Sequence, residues 1–281
     1  MEVIHKIDDL RQKLNVLRCS NKTIGFVGTM GFLHQGHISL MKMAKQECDI
    51  VVVSIFVNPL QFAPNEDLAN YPRDLISDTQ LCVNAQVDFL FMPEANIIIN
   101  EKMFTYVNVN ILDQCLCGAK RVGHFKGVCT IITKLFNIVN PDKAYFGEKD
   151  IQQLRIIQAL VKDLNFAIQI IPGKTVRDYD GLALSSRNSY LSVLERKSAV
   201  IVPQTIKYIV NLIEQQIYSV KEILSLAHQL VSREKMAKVD YIEIVDNASL
   251  QPVTNIEHTV IIALAIFIGT TRLIDNQIYV I

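Results

Sequence analysis

The sequence predicts an α/β protein: a doubly wound parallel sheet followed by a smaller C-terminal α+β domain. Two observations carry this. Over residues 1–175, short apolar β-branched runs alternate with stretches of helical periodicity, the pattern of strand–helix–strand units on a parallel sheet. Beyond residue 175 the texture changes to consecutive helical stretches and then consecutive strand-like runs. The boundary is therefore placed between 1–175 and 176–281.

Taken in order, Ile4, Ile7, Leu10, Leu14 and Leu17 share one helical face. Thr23 to Val27 reads as a strand, and the glycine-rich "GTMGFLHQGH" follows it. Helical spacing of Ile38, Met41 and Ala44 predicts a helix from His37 to Glu47. "DIVVVSIFV" is a continuous apolar run, as expected of a strand buried on both faces. A helix is predicted over Asp74 to Asn84, then a strand in "VDFLFMP". Gly127 to Val139 reads as a helix stopped by "NPD", and "KAYF" as a strand. "DIQQLRIIQALVKDLN" is amphipathic and "FAIQIIP" completes the alternation. Two or three helices are expected from Val193 to Met236, with strands in "DYIEIVD", "HTVIIALAIFIG" and "NQIYVI".

Composition excludes several classes. Half of the 281 residues are hydrophobic and 20% are charged, which fits a folded chain rather than a disordered one. Lys plus Arg equals Asp plus Glu at 28 each, so no bulk positive field points to nucleic acid as a partner. No apolar run approaches the ~20 residues that span a bilayer, so no membrane is expected either. The opening "MEVIHKIDDLRQKL" lacks the apolar core of a secretory signal. The cysteines at 19, 48, 82, 115, 117 and 129 form no CxxC pair, so reduced structural thiols and a cytoplasmic location are expected.

Four polar clusters each follow a predicted strand directly: "GTMGFLHQGH", "NPLQF", "GEKD" and "RDYDGLALSSRN". Ligands of an open parallel sheet bind outside the carboxyl ends of its strands, so clusters far apart in sequence are expected to converge. His34 and His37 point the same way if Gly36 and His37 open a helix, and a helix start suits an anion. A metal pair and a plain glycine turn are the alternatives; neither GxGxxG nor GxxxxGK[ST] is present. Lys149 has the reach and charge for a phosphate, while Asp150 and Gln153 have capping-box spacing. Ser185, Ser186 and Arg187 suit phosphoryl oxygens, or form an N-cap serine beside an exposed arginine. Asn58 and Gln61 suit a small hydroxy acid, or close a turn at Asn58–Pro59.

With these residues in view, the chain closely resembles the pantoate–β-alanine ligases over nearly its whole length. The stretches that carry the resemblance are "TMGFLHQGH", "VVVSIFVNPLQF", "EDLANYPRDL", "GHFKGV", "KAYFGEKDIQQL", "TVRDYDGLALSSRN" and "TTRLIDN". The family belongs to an adenylyl-transferring superfamily with HxGH-like and KMSKS-like motifs; "HQGH" matches the first and "ALSSRN" takes the place of the second. The resemblance implies a Rossmann-type domain over 1–175 that binds nucleotide and pantoate, with 176–281 closing over the ATP site. It implies a homodimer that condenses pantoate with β-alanine, using ATP and Mg²⁺, through a pantoyl adenylate. Nucleotidyl transfer to another substrate is the rival enzyme reading, and Gln61 with Gln153 argues against it. A non-catalytic protein holding a metal on the histidine pair is the rival outside enzymes.

Carried over by position, Met30, His34 and His37 are expected at ATP, with His37 in the place usually labelled proton donor. Gly147, Lys149, Asp150, Val176, Leu184, Ser185, Ser186 and Arg187 complete the nucleotide set. His34, His37, Lys149 and Arg187 are the expected catalytic groups. Gln61 and Gln153 are expected to hold pantoate, with Gln61 bordering β-alanine. Thr29, Asn58, Arg121 and His124 are further substrate contacts, and Asp78 is expected near magnesium. The segment "QFAPNEDLANYP" is expected to act as a lid. Gly28 and Lys174 stand where the family usually has proline, Leu184 replaces methionine, and the stretch 96–109 is short. The Gly28 change implies a looser turn, and none of the changes removes a polar group.

Overall fold

The computed structural model describes residues 1–64, 66–100, 102–216 and 219–281. In chain order the elements are β1 (Glu2–Ile4), α1 (Ile7–Cys19), β2 (Ile24–Thr29), α2 (Gln35–Glu47), β3 (Ile50–Ile55), α3 (Leu75–Asn84), β4 (Phe89–Phe91) and α4 (Ala95–Ile98). There follow α5 (Leu116–Lys120), α6 (His124–Val139), β5 (Lys143–Gly147), α7 (Ile151–Asp163) and β6 (Gln169–Gly173). The chain ends with α8 (Val193–Ser198), α9 (Ile201–Glu214), α10 (Val220–Ser232), β7 (Ala237–Asp246), β8 (Val260–Ile268) and β9 (Thr271–Tyr279). Single 3-10 turns occupy Pro59–Gln61, Glu148–Asp150 and Ser186–Tyr190.

Two compact units form. The first is 1–110, 121–148 and 153–174; the second is 111–120, 149–152 and 175–281. The first unit is built on a six-stranded parallel sheet of order β1-β4-β3-β2-β5-β6. Strand order reverses between β2 and β5, the point where α/β sheets of this kind bind ligands. β3 is buried along nearly its whole length, as its unbroken apolar run requires. Val27, Val51, Val53, Leu90, Met41 and Ala44 pack α2 onto the sheet.

The second unit carries a three-stranded antiparallel sheet of order β7-β8-β9. Its core joins Ile209, Leu212, Ile223 and Val231 of the helices to Ile244, Ile262, Leu264 and Ile266 of the strands. Ser192 with Glu195, and Ser219 with Glu222, form capping boxes that start α8 and α10.

Three expectations are corrected. Ile4 lies in β1, paired with Phe91, because a sheet edge takes it before the helix of Ile7, Leu10 and Leu14 begins. Gly28 lies within β2 opposite Ser54, so the departure from proline falls in a strand and not in a turn. α6 begins at His124, three residues before Gly127. Gly127 is interior to that helix because the 59–61 turn passes against it: a Cβ there would collide with the Leu60 carbonyl. Helix propensity alone predicts that Gly127→Ala stabilises the chain by about 1 kcal/mol. The collision predicts a loss of about 3 kcal/mol instead, read by denaturant unfolding. A stabilised variant would refute the close approach of α6 to that turn.

Candidate active site

The first unit's site is built on the turn between β2 and α2. Thr29 Oγ1 donates to the Ser54 carbonyl at 2.9 Å and accepts from Gly31 N–H at 3.2 Å. Gly31 has φ of +84°, which its missing Cβ permits; a Cβ would stand 3.0 Å from Asp78 Oδ2. Asp78, on α3, accepts from Phe32 N–H at 2.8 Å and Leu33 N–H at 2.7 Å. It is 1% exposed. Burial pushes its carboxyl above the ordinary range, against the pull of the two N–H bonds. Each Asp78 oxygen thus accepts one main-chain N–H, and the carboxylate holds the turn.

The turn delivers His34 as the N-cap of α2, so the helix starts at Gln35 rather than at Gly36 or His37. His34 Nδ1 accepts from Gly36 N–H at 3.1 Å, and His37 Nδ1 accepts from His34 N–H at 3.2 Å. The rings lie 4.1 Å apart. An accepting Nδ1 cannot carry a proton, so each neutral ring keeps its proton on Nε2. Both rings thus lie at a positive helix end with their N–H on Nε2, a setting that suits an anion. The cap bonds hold only while both rings are neutral.

A second cluster surrounds the 58–61 turn. Asn58 is 3% exposed. Its Nδ2 donates to Gln61 Oε1 at 3.0 Å and to the Gly127 carbonyl at 3.2 Å, and its Oδ1 accepts from Leu60 N–H at 3.0 Å. Asn58 thus closes the turn and aims Gln61. The Gln61 Nε2 donates to Met30 Sδ at 3.0 Å. The Gln61 carbonyl takes two more bonds, from Arg121 Nη2 at 3.2 Å and His124 Nδ1 at 2.8 Å. Arg121 Nη1 lies 3.1 Å from His124 Nε2. A guanidinium only donates, so that imidazole is neutral with its proton on Nδ1.

The segment expected to act as a lid carries Glu66, a residue its sequence pattern does not single out. Its carboxylate takes Arg121 Nε and Nη2, each at 2.7 Å, a bidentate pair that ties the segment to the start of α6. Burial works to raise the Glu66 carboxyl, but the Arg121 bonds and charge win and hold it below the ordinary range. Asn65, in the same segment, lies outside the described residues. Gly147 ends β5 beside the strand-order reversal, and Gln153 is half-buried on the first turn of α7.

The second unit holds the remaining predicted groups. Lys149 Nζ lies 3.8 Å from Asp150 Oδ2 in the 148–150 turn. Val176 accepts from Leu184 N–H at 3.0 Å, and Arg177 bridges Ala183, so residues 176–184 form a small hairpin. Arg196 grips its tip through Asp178 at 2.7 Å and Asp180 at 2.6 Å. The hairpin leads into Ser185, whose Oγ accepts from Arg187 N–H at 3.3 Å and caps the turn carrying buried Ser186 and Arg187. The capping role read for Ser185 is therefore present. Among the described residues, no three His, Cys, Asp or Glu side chains come together to hold a metal, and no helix is long and apolar enough to cross a membrane.

A parallel sheet with a strand-order reversal, and a histidine-capped helix start at the carboxyl end of the strand beside it, defines a nucleotide-binding α/β protein. The pantoate-beta-alanine ligase family model matches residues 2–278. A pantothenate synthetase of Clostridium botulinum is 49% identical over 276 residues, 98% of each chain. One from Caldicellulosiruptor saccharolyticus is 47% identical, again over 98% of each. The crystal structure of a Thermus thermophilus pantothenate synthetase superposes with a TM-score of 0.93 at 40% identity, over 99% of both chains. That of a Francisella tularensis pantoate-beta-alanine ligase, complexed with beta-gamma ATP and beta-alanine, has a TM-score of 0.81 at 36% identity, covering 99% of this chain and 97% of that one. The chain belongs to the pantoate–β-alanine ligase family.

Glu66→Gln keeps the shape of the Arg121 clasp and removes its charge. A carboxyl whose folded pKa is depressed contributes stability above its unfolded value, and that stability is lost as pH falls through the folded value. The variant is expected to be less stable at pH 7 by about 1–3 kcal/mol. The difference from the parent should shrink as pH falls below the ordinary 4.5 of the carboxyl, checked by denaturation across that range.

Proposed function

We propose that the chain condenses (R)-pantoate with β-alanine, driven by ATP, to give pantothenate, AMP and pyrophosphate through a pantoyl adenylate. The observation that carries this reading is the contact between Gln61 Nε2 and Met30 Sδ. It joins a residue assigned to pantoate with one assigned to ATP, and the reaction requires those two substrates to meet. The Francisella tularensis relative, with beta-gamma ATP and beta-alanine bound, supports both of those ligands.

In the first step a pantoate carboxylate oxygen attacks the α-phosphorus of ATP. The bond from that phosphorus to the bridging oxygen breaks, and pyrophosphate leaves. In the second, the β-alanine amine attacks the acyl carbon, the acyl–phosphate bond breaks, AMP leaves and the amine gives up a proton. A carboxylate and a triphosphate repel each other, so donors and cations must offset charge where they react. His34 and His37 serve as neutral Nε2–H donors to phosphate, which makes His37 a hydrogen-bond donor before it is a proton donor. Lys149, Arg187, Ser185 and Ser186 are the further phosphate partners, with Gly147, Asp150, Val176 and Leu184 completing the nucleotide set. Gln61 offers its N–H donors to pantoate oxygens, and Gln153 supplies the second amide. Asn58, Arg121, His124 and Asp78 position the groups around them, and Thr29 holds the turn.

Among the described residues no three His, Cys, Asp or Glu side chains gather as a protein-built metal cage. Mg²⁺ is expected to arrive on the phosphates of ATP, as this ion commonly does. A cytoplasmic homodimer is the expected setting.

ATP–pyrophosphate exchange tests the reaction. Exchange is expected only when pantoate is present; exchange that ignores pantoate, or none at all, overturns the proposal. His37→Ala is expected to lower exchange by about 100-fold or more while its circular dichroism stays that of the parent.

A further inference from the structure

We propose that Asn276, in the C-terminal hairpin, is a positioning residue for Lys149. It acts by holding the lysine's main-chain carbonyl. Asp275 and Asn276 lie on β9, a sheet edge, yet are only 2% and 6% exposed. Asn is a poor strand former and a buried carboxylate is costly unless paired, so neither residue is explained by the strand itself. Their bonds explain them. Arg177 grips Asp275 with two bonds, at 2.6 and 2.9 Å. Asp275 Oδ1 also accepts Asn276 N–H at 2.8 Å, and Arg177 Nη2 reaches the Asn276 carbonyl at 3.4 Å. The main chain of Asn276 is thus held on both sides by one ion pair.

The anchored asparagine then donates from Nδ2 to the Lys149 carbonyl at 2.8 Å, across 127 residues of sequence. A lysine is a point charge on a flexible stem, so the place of its ammonium depends on where its Cα is pinned. The stretch "LIDN" thereby joins "GEKD" and "TVRD" in one network, with a job the motif itself does not reveal. The inference rests on the reading of Lys149 as a phosphate contact.

The test measures pantoate-dependent ATP–pyrophosphate exchange in Asn276→Ala, Asn276→Asp, Lys149→Ala and the Asn276→Ala/Lys149→Ala double variant. Asn276→Asp keeps the shape and puts a carboxylate oxygen against the Lys149 carbonyl. For both Asn276 variants the KM for ATP is expected to rise about tenfold, with the KM for pantoate unchanged, as for one lost hydrogen bond. On the Lys149→Ala background the same change should add less than about twofold, because the two residues act as one unit. An unchanged kcat/KM for ATP in both Asn276 variants, or full additivity in the double variant, overturns the inference and leaves the function standing. Failure of both Asn276 variants to fold also overturns it, since the asparagine is then a folding residue. Full exchange in Lys149→Ala overturns the role of the lysine and this inference together, while pantoate-dependent exchange in the parent still upholds the reaction.

Discussion

The two N–H groups of Phe32 and Leu33 and the buried carboxylate of Asp78 set the geometry on which the candidate site depends. A chain leaving β2 must reverse into α2 within a few residues, and the reversal leaves donors pointing inward. Unmet, each would cost about 1–3 kcal/mol. Asp78 meets both from α3, and Gly31 makes the room by lacking a side chain. His34 and His37 can cap α2 only because the turn arrives in that way, with His34 extended at the N-cap. The histidines owe their tautomers to the cap and the cap to the turn.

A common device recurs around the candidate groups. Their main chains are pinned by side chains from elsewhere in the same unit. The Gln61 carbonyl is held by Arg121 and His124, and the Lys149 carbonyl by Asn276, whose own carbonyl meets Arg177. Pinning a carbonyl leaves the residue's own side chain available to point where chemistry needs it. The pinning arginines are themselves matched by acids: Arg121 by Glu66, and Arg177 by Asp275, as Arg196 at the hairpin tip is by Asp178 and Asp180. Such pairing is one reason why a chain with 28 basic and 28 acidic residues gathers local cations without a basic surface field.

Much of the fold was legible. Period-2 and period-3.6 patterns depend on which side of each element meets the core, and this chain's core elements are long enough to show them. The misses have physical causes. Ile4 matched the helical face of Ile7 and Leu10, but pairing with Phe91 on the sheet edge took it first. The start of α2 was displaced because histidine is not among the residues that usually cap a helix. Gly127 read as a boundary, since glycine weakens helices, when its real office is to let the Leu60 carbonyl approach. Asp78 was placed by resemblance alone, because its bonds to Phe32 and Leu33 N–H span some 45 residues that no local pattern links.

By itself, then, the sequence determined the alternation of strand and helix, the polar clusters at the strand ends, and the family to which they belong. Those are local patterns, written in residues near one another or in motifs read whole. Only the tertiary structure decided which partner each of these polar groups meets. Asp78 and Phe32 are 46 residues apart, Glu66 and Arg121 are 55 apart, and Asn276 and Lys149 are 127 apart. A hydrogen bond is made over about 3 Å, and no local pattern records which distant groups folding will bring within that reach.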